Sequence, residues 1–220
     1  MNKLVIFGIG DLAGLLYYYL NNDSNYEVVA FCVDKQYLNL KIFNNLPVYA
    51  LEDIDNYYNA SEVKFILALG YSSMRFREIV YDKIVKLGFE LINYISSKAI
   101  VAENVKLGFN NIILQGVVLE PNVEIGNNNI IWSSSIICHD VKIGNHNFIA
   151  AGSICGGFSH VKNLCFIGFN STIIDNIIVE NETLIGAKSL LIKNTDSHTK
   201  WFGSPAQKVG SHKDFGIKIK

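Results

Sequence analysis

The sequence predicts an α/β plus all-β protein: a small parallel α/β domain over residues 1–95, a parallel β-helix over residues 96–197, and a C-terminal tail over 198–220. Three observations carry this. From Ala99 to Asn194 the chain divides into sixteen consecutive six-residue blocks without an insertion. The third residue of the blocks runs Val101, Leu107, Ile113, Leu119 and onward to Leu191; fifteen of the sixteen are Val, Ile or Leu, and the other is Cys155. Ahead of the blocks, short apolar runs alternate with helical stretches, and a glycine-rich turn joins the first such pair.

In chain order, Leu4–Phe7 reads as a short buried strand, followed by Gly8-Ile9-Gly10-Asp11-Leu12-Ala13-Gly14 and a helix to about Leu20. Glu27–Val33 is a second strand, closed by Asp34. Val63–Leu69 is a third, followed by Gly70 and a helix through about Leu87; Phe89–Ile95 is a fourth, leading into the first coil. Residues 35–62 carry no firm pattern. Strands alternating with helices are the signature of a parallel sheet.

A period of six fits neither the 3.6 of an α-helix nor simple strand alternation. It fits coils in which each block is one short strand and one turn. One aliphatic side chain per block points inward and stacks on its equivalents, each burial being worth about 1.5–3 kcal/mol. Four residues after each aliphatic stand compact residues such as Val117, Val123, Asn129 and Ser135, which let the chain turn. Gly108, Gly126, Gly144, Gly168 and Gly186 are expected at corners with left-handed backbone angles. Three blocks per coil would build a triangular prism of about five coils.

Composition excludes more than it assigns. A formal net charge of −1 with 18% charged residues leaves no basic stripe for nucleic acid. No apolar run approaches the ~20 residues of a membrane span. The opening Met1–Gly8 is too short for a secretory signal, so a cytoplasmic protein is expected. Cys32, Cys138, Cys155 and Cys165 show no metal-type pairing and read as free thiols. His160, His198 and His212 lack ligand spacing, so no metal is expected.

The motif Gly8-x-Gly10-x-x-Ala13, set between strand and helix with Asp34 ending the next strand, is a Rossmann-like fingerprint. Amides at a helix N-terminus attract phosphate, and the acid can hold a ribose hydroxyl. The plainer reading is a tight turn with an ordinary strand-end Asp. The first 95 residues amount to about one half of a dinucleotide fold, so a single nucleotide, such as a nucleotide-linked sugar, suits the room better.

This domain order, ending in Gly203-Ser204-Pro205-Ala206, resembles the bacterial sugar acyltransferases. In particular it resembles the nucleotide-sugar N-acetyltransferases of the bacillosamine and perosamine type, together with the sialic acid O-acetyltransferases. The resemblance implies a left-handed β-helix, a homotrimer, and acetyl-CoA held between neighbouring prisms. It also implies a nucleotide-linked amino sugar as acceptor. The family's His-acid motif appears as Ile137-Cys138-His139-Asp140-Val141-Lys142-Ile143-Gly144. By register His139 lies two positions past an inward residue, on the outer surface, so a buried structural histidine is disfavoured. Neutral His139 would take a proton from the attacking amine or hydroxyl, and Asp140 would orient the ring and raise its basicity. Amides near Gly156 and Gly157 would stabilise the oxyanion.

Phe148 stands where many relatives carry a second His that contacts the acyl donor. Gly157, Phe169 and Ala187 fall, with Phe148, at donor-binding positions, and Gly70 at a substrate contact. Gly8, Gly10, Asp11, Leu12 and Asp34 complete the expected substrate set, although relatives often have Gly-His at Asp11-Leu12 and paired acids at Val33-Asp34. Cys138 raises a covalent route, against which stands a plain packing cysteine. Sugar O-acetylation is the near alternative to N-acetylation, and a non-catalytic trimeric nucleotide-sugar-binding scaffold is the distant one.

Overall fold

The computed structural model describes residues 2–212 and 214–219. Contacts divide the chain into two units. One comprises residues 1–70 and 79–94; the other comprises 71–78 and 95–220.

The first unit is a five-stranded sheet, built from β1 (Asn2–Phe7), β2 (Tyr26–Val33), β3 (Ile42–Phe43), β4 (Leu46–Ala50) and β5 (Val63–Leu67). Their order is β3-β4-β2-β1-β5, parallel except for the β3–β4 hairpin. Helix α1 (Asp11–Asn22) buries Ala13, Leu16 and Leu20, one stripe at helical spacing. The stretch with no sequence pattern is ordered. Asn44 and Asn45, both at positive φ, close the hairpin, and a short 3-10 helix spans Leu51–Asn56. The expected fourth strand shrinks to a single parallel bridge, Phe65 to Leu91, followed by Tyr94–Ile95.

In the second unit each coil takes eighteen residues, so Ile137 pairs Cys155, Ile143 pairs Val161 and Ile149 pairs Ile167. Three sheets result. The first face runs from Ile100–Val101 to Leu190–Leu191, the second from Lys106–Leu107 to Ile178–Val179. The third includes Ile112–Ile113 through Leu184–Ile185. The third-position aliphatics form the core, Ile113, Ile131, Ile149, Ile167 and Ile185 being fully buried. Asn111, Asn129 and Asn147 are buried too, because each side-chain oxygen accepts the backbone N–H one coil on, at 3.1, 2.9 and 2.7 Å. Satisfied in this way, a buried amide carries no desolvation penalty of an orphan group.

Two expectations change. The left-handed angles belong to Asn110, Asn128, His146, Asn170 and Lys188, each two residues past the glycine expected to supply them. The glycines instead allow close stacking: a Cβ on Gly126 would lie 2.7 Å from the Gly144 carbonyl oxygen, and one on Gly168 2.6 Å from the Ala187 nitrogen. Within the expected C-terminal tail, residues 199–211 carry two strands. Thr199–Gly203 pairs parallel with Leu184–Ile185, Ala206–Ser211 returns antiparallel, and Trp201 joins the prism core.

Helix α2 (Met74–Lys86) begins in the second unit. There Arg75 grips buried Glu182 through two bonds of 2.6 Å, and His198 Nδ1 lies 2.7 Å from the same carboxylate. Burial pushes the Glu182 pKa up, but the hydrogen bonds from Arg75 and His198 outweigh it and hold the carboxyl below its ordinary value. No helix among the described residues is long and apolar enough to cross a membrane.

Candidate active site and nucleotide loop

In the first unit the register brings the predicted nucleotide residues to one sheet edge. Phe7 pairs both Cys32 and Leu67, so Gly8, Asp34 and Gly70 follow the carboxyl ends of adjacent strands. This is the edge where open α/β sheets bind ligands. Gly8 has φ +126°, and a Cβ there would sit 2.8 Å from the Ala68 carbonyl oxygen, so the turn requires glycine. Gly10 caps α1 without a side-chain bond, which leaves the helix N-terminus open, with Asp11 exposed and Leu12 half-buried behind it. The carboxylate at Asp11 suits the helix dipole and opposes an incoming phosphate.

Asp34 departs from a surface ribose ligand. It is 1% exposed, Lys83 Nζ donates to its Oδ2 at 2.9 Å, and its Oδ1 is buried with no hydrogen-bond partner. Beside it lies a cavity of about 280 Å3, with Leu51, Lys83 and Leu87 among its lining. One acceptor oxygen therefore stays open to a donor.

In the second unit, His139 and Asp140 occupy the corner between the first and second faces, as the register predicts. Their side chains are 52% and 34% exposed. His139 Nδ1 lies 3.0 Å from Asp140 Oδ2. A carboxylate only accepts, so Nδ1 carries the proton in neutral imidazole and the Nε2 lone pair is left free. Asn122 Nδ2 donates to the other Asp140 oxygen at 3.2 Å, and the His139 backbone N–H donates to Glu120 Oε2 at 2.8 Å. The dyad is thus held at both ends.

One coil on, Gly157 lies against the imidazole. A Cβ there would come 2.9 Å from Cε1 and 3.0 Å from Nε2. The Gly157 N–H has no acceptor among the described residues, although its carbonyl accepts from Asn176. A spare amide beside a base is what an oxyanion site requires. Cys138 is half-buried; burial first, then the Glu120 and Asp175 carboxylates, push its thiol pKa up. Cys155 behind it is pushed up to about 12 by burial. Neither is poised as a thiolate.

The residues expected on the donor side do not all join this corner. Phe169, 44% exposed, and Ala187, also exposed, stack at the corner between the third and first faces. Phe148 overturns its expected role. It is 1% exposed, stacked on Phe166 at 5.5 Å and covered by Tyr71 at 4.7 Å and Trp132 at 5.7 Å, so it packs the third face rather than meeting a donor. Nor does His146 replace it, since Asn128 and Glu78 hold its ring at a different corner. Glu120, Asn122 and Phe158 escaped the motif search, yet eighteen-residue spacing puts Asn122 and Phe158 directly on either side of Asp140. Among the described residues no group of three His, Cys, Asp or Glu side chains could hold a metal ion.

The bacterial transferase hexapeptide (six repeats) family pattern matches residues 104–137 and 122–157 of the chain. No curated protein sequence matches it. Among solved structures it is similar to PerB from Caulobacter crescentus, determined with CoA and GDP-perosamine: TM-score 0.83 and 22% identity over 96% of this chain and 98% of that one. It is also similar to the acetyltransferase domain of PglB from Neisseria gonorrhoeae (TM-score 0.83, 19% identity, 95% and 100% covered). A third is WeeI from Acinetobacter baumannii (TM-score 0.80, 19% identity, 94% and 99% covered). The shared fold is an α/β domain followed by a left-handed parallel β-helix.

Proposed function

We propose that the protein transfers an acetyl group from acetyl-CoA directly to the amine of a nucleotide-linked amino sugar. The observation that carries this reading is the pairing of an Asp-oriented His139, its Nε2 free, with the unpartnered N–H of Gly157. The likeness to a structure holding CoA and GDP-perosamine supports the choice of donor and acceptor class.

The amine nitrogen attacks the thioester carbonyl carbon as its proton passes to His139 Nε2. Asp140 stabilises the imidazolium that forms, and the Gly157 N–H takes the oxyanion. Collapse breaks the C–S bond, and the proton held by His139 passes to the departing CoA sulfur. The product is an amide and free CoA thiol. Gly8, Gly10, Asp11, Leu12, Asp34 and Gly70 hold the nucleotide in this reading.

Assembly as a homotrimer completes the donor site, because Phe169 and Ala187 stand at another corner of the chain from His139. The outward positions of the first face support this: Ile100, Val118, Ile136, Ile154 and Leu190 make an apolar ridge broken only by Thr172. The second face carries Lys106, Glu124, Lys142 and His160 at the equivalent positions.

Direct transfer leaves Cys138 without a chemical role. The Cys138→Ser variant is expected to keep most activity, with intersecting initial-rate lines when both substrates are varied. Parallel lines, or a trapped acetyl-thioester at Cys138, would replace direct transfer with a covalent route.

A further inference from the structure

Phe158 has no part in the proton transfer just described, yet two observations set it apart. Its φ of +58° is the left-handed angle common to the prism corners, shared by His146 at +61°, Leu164 at +59° and Lys188 at +55°. The positions one coil either side of Asp140 and Phe158 are Asn122 at φ +65° and Asn176 at φ +61°, and Asn tolerates this conformation well. Its ring is 58% exposed. It also meets the His139 imidazole edge to face, with centroids 5.1 Å apart and planes at 85°.

An aromatic ring this exposed adds nothing to the core, and its contact with the base points to a binding role. It walls a groove of about 450 Å3 that also reaches Asp140, Asn122, Glu124 and Lys142. We infer that this groove is the sugar subsite for the acceptor, with Phe158 as its platform. A pyranose ring offers C–H bonds on one face and hydroxyls around its rim. The C–H face packs on an aromatic ring. The rim hydroxyls, which both donate and accept, match the Asn122 amide, the Glu124 carboxylate and the Lys142 ammonium. A sugar seated there is next to His139, where its amine has to react. This inference rests on the amino-sugar acceptor proposed above.

The test compares wild type with Phe158→Asn and Phe158→Tyr, using UDP-, dTDP- and GDP-linked amino sugars, GDP-perosamine included. Both steady-state kinetics and calorimetry are recorded. In the Asn variant, KM and Kd for the sugar nucleotide are expected to rise about 10-fold. KM for acetyl-CoA is expected to hold, and Tm to stay level or rise by up to about 4 °C, since Asn fits the left-handed corner angle well. The Tyr variant, which keeps the platform, is expected to stay near wild type. An unchanged sugar KM in an active Asn variant, a rise confined to acetyl-CoA, or a fall in Tm would overturn the inference while leaving the proposed activity standing. Wild type that binds these sugars through Phe158 without transferring acetyl would overturn the activity and keep the subsite. Wild type that neither binds nor acetylates any of them would overturn both.

Discussion

Replacing His139 with Ala is expected to lower turnover by about 10²–10⁴ while leaving thermal stability near that of wild type. The two halves follow from different facts. In the proposed reaction the imidazole, with its free nitrogen, is the base, so its loss removes proton transfer from the attack. The side chain is also half exposed and outside the aliphatic stack, so truncation opens no cavity in the core. Asn in its place offers similar bulk but no base, and should fail equally. Steady-state rates with paired melting curves check the expectation. Turnover within a few-fold of wild type would remove His139 from the chemistry, and a large drop in Tm would make it a structural residue instead.

Gly157→Ala is expected to cost about 10²-fold in kcat, through a single methyl group. The new carbon would lie within 3.0 Å of the imidazole in its present position, so the ring has to swing and its bond to Asp140 is strained or lost. Gly157 is not among the residues at positive φ, so Ala imposes no backbone penalty there and the coil still forms. The displaced ring also leaves the spare N–H with no base opposite it. A fall in kcat with circular dichroism and Tm unchanged is the expected signature. A variant as active as wild type would show that the contact between glycine and imidazole is irrelevant to catalysis.

The prism is legible in the sequence because one inward aliphatic per six residues fits neither helix nor simple strand alternation, and the same register puts His139 on the outside. The role of the repeat glycines was misread because composition distinguishes a glycine needed for φ from one needed for close approach only at the level of backbone contact. Gly126 beneath Gly144 is the latter. The hairpin at Asn44-Asn45 went unread because its strands are too short to alternate visibly, although two adjacent asparagines are themselves a turn signal. Phe148 misled for a different reason. Its position matched a donor contact, but its surroundings depend on Tyr71, which lies 77 residues earlier and is brought over it only by the fold. Asp34 was correctly placed at the strand end, while its partner Lys83 sits on a helix 49 residues further on. Partners at that range leave no periodic trace.

The most direct measurement follows CoA thiol release when the protein is mixed with acetyl-CoA and each of a panel of nucleotide-linked amino sugars, the sugar product being analysed by mass and by NMR. With at least one acceptor, thiol is expected to appear in equal amount with a new amide on the sugar, and the His139→Ala variant to release thiol only at the background rate. No thiol release above background with any amino sugar, or acetyl found as an ester on a hydroxyl while the amine stays free, would contradict N-acetyl transfer.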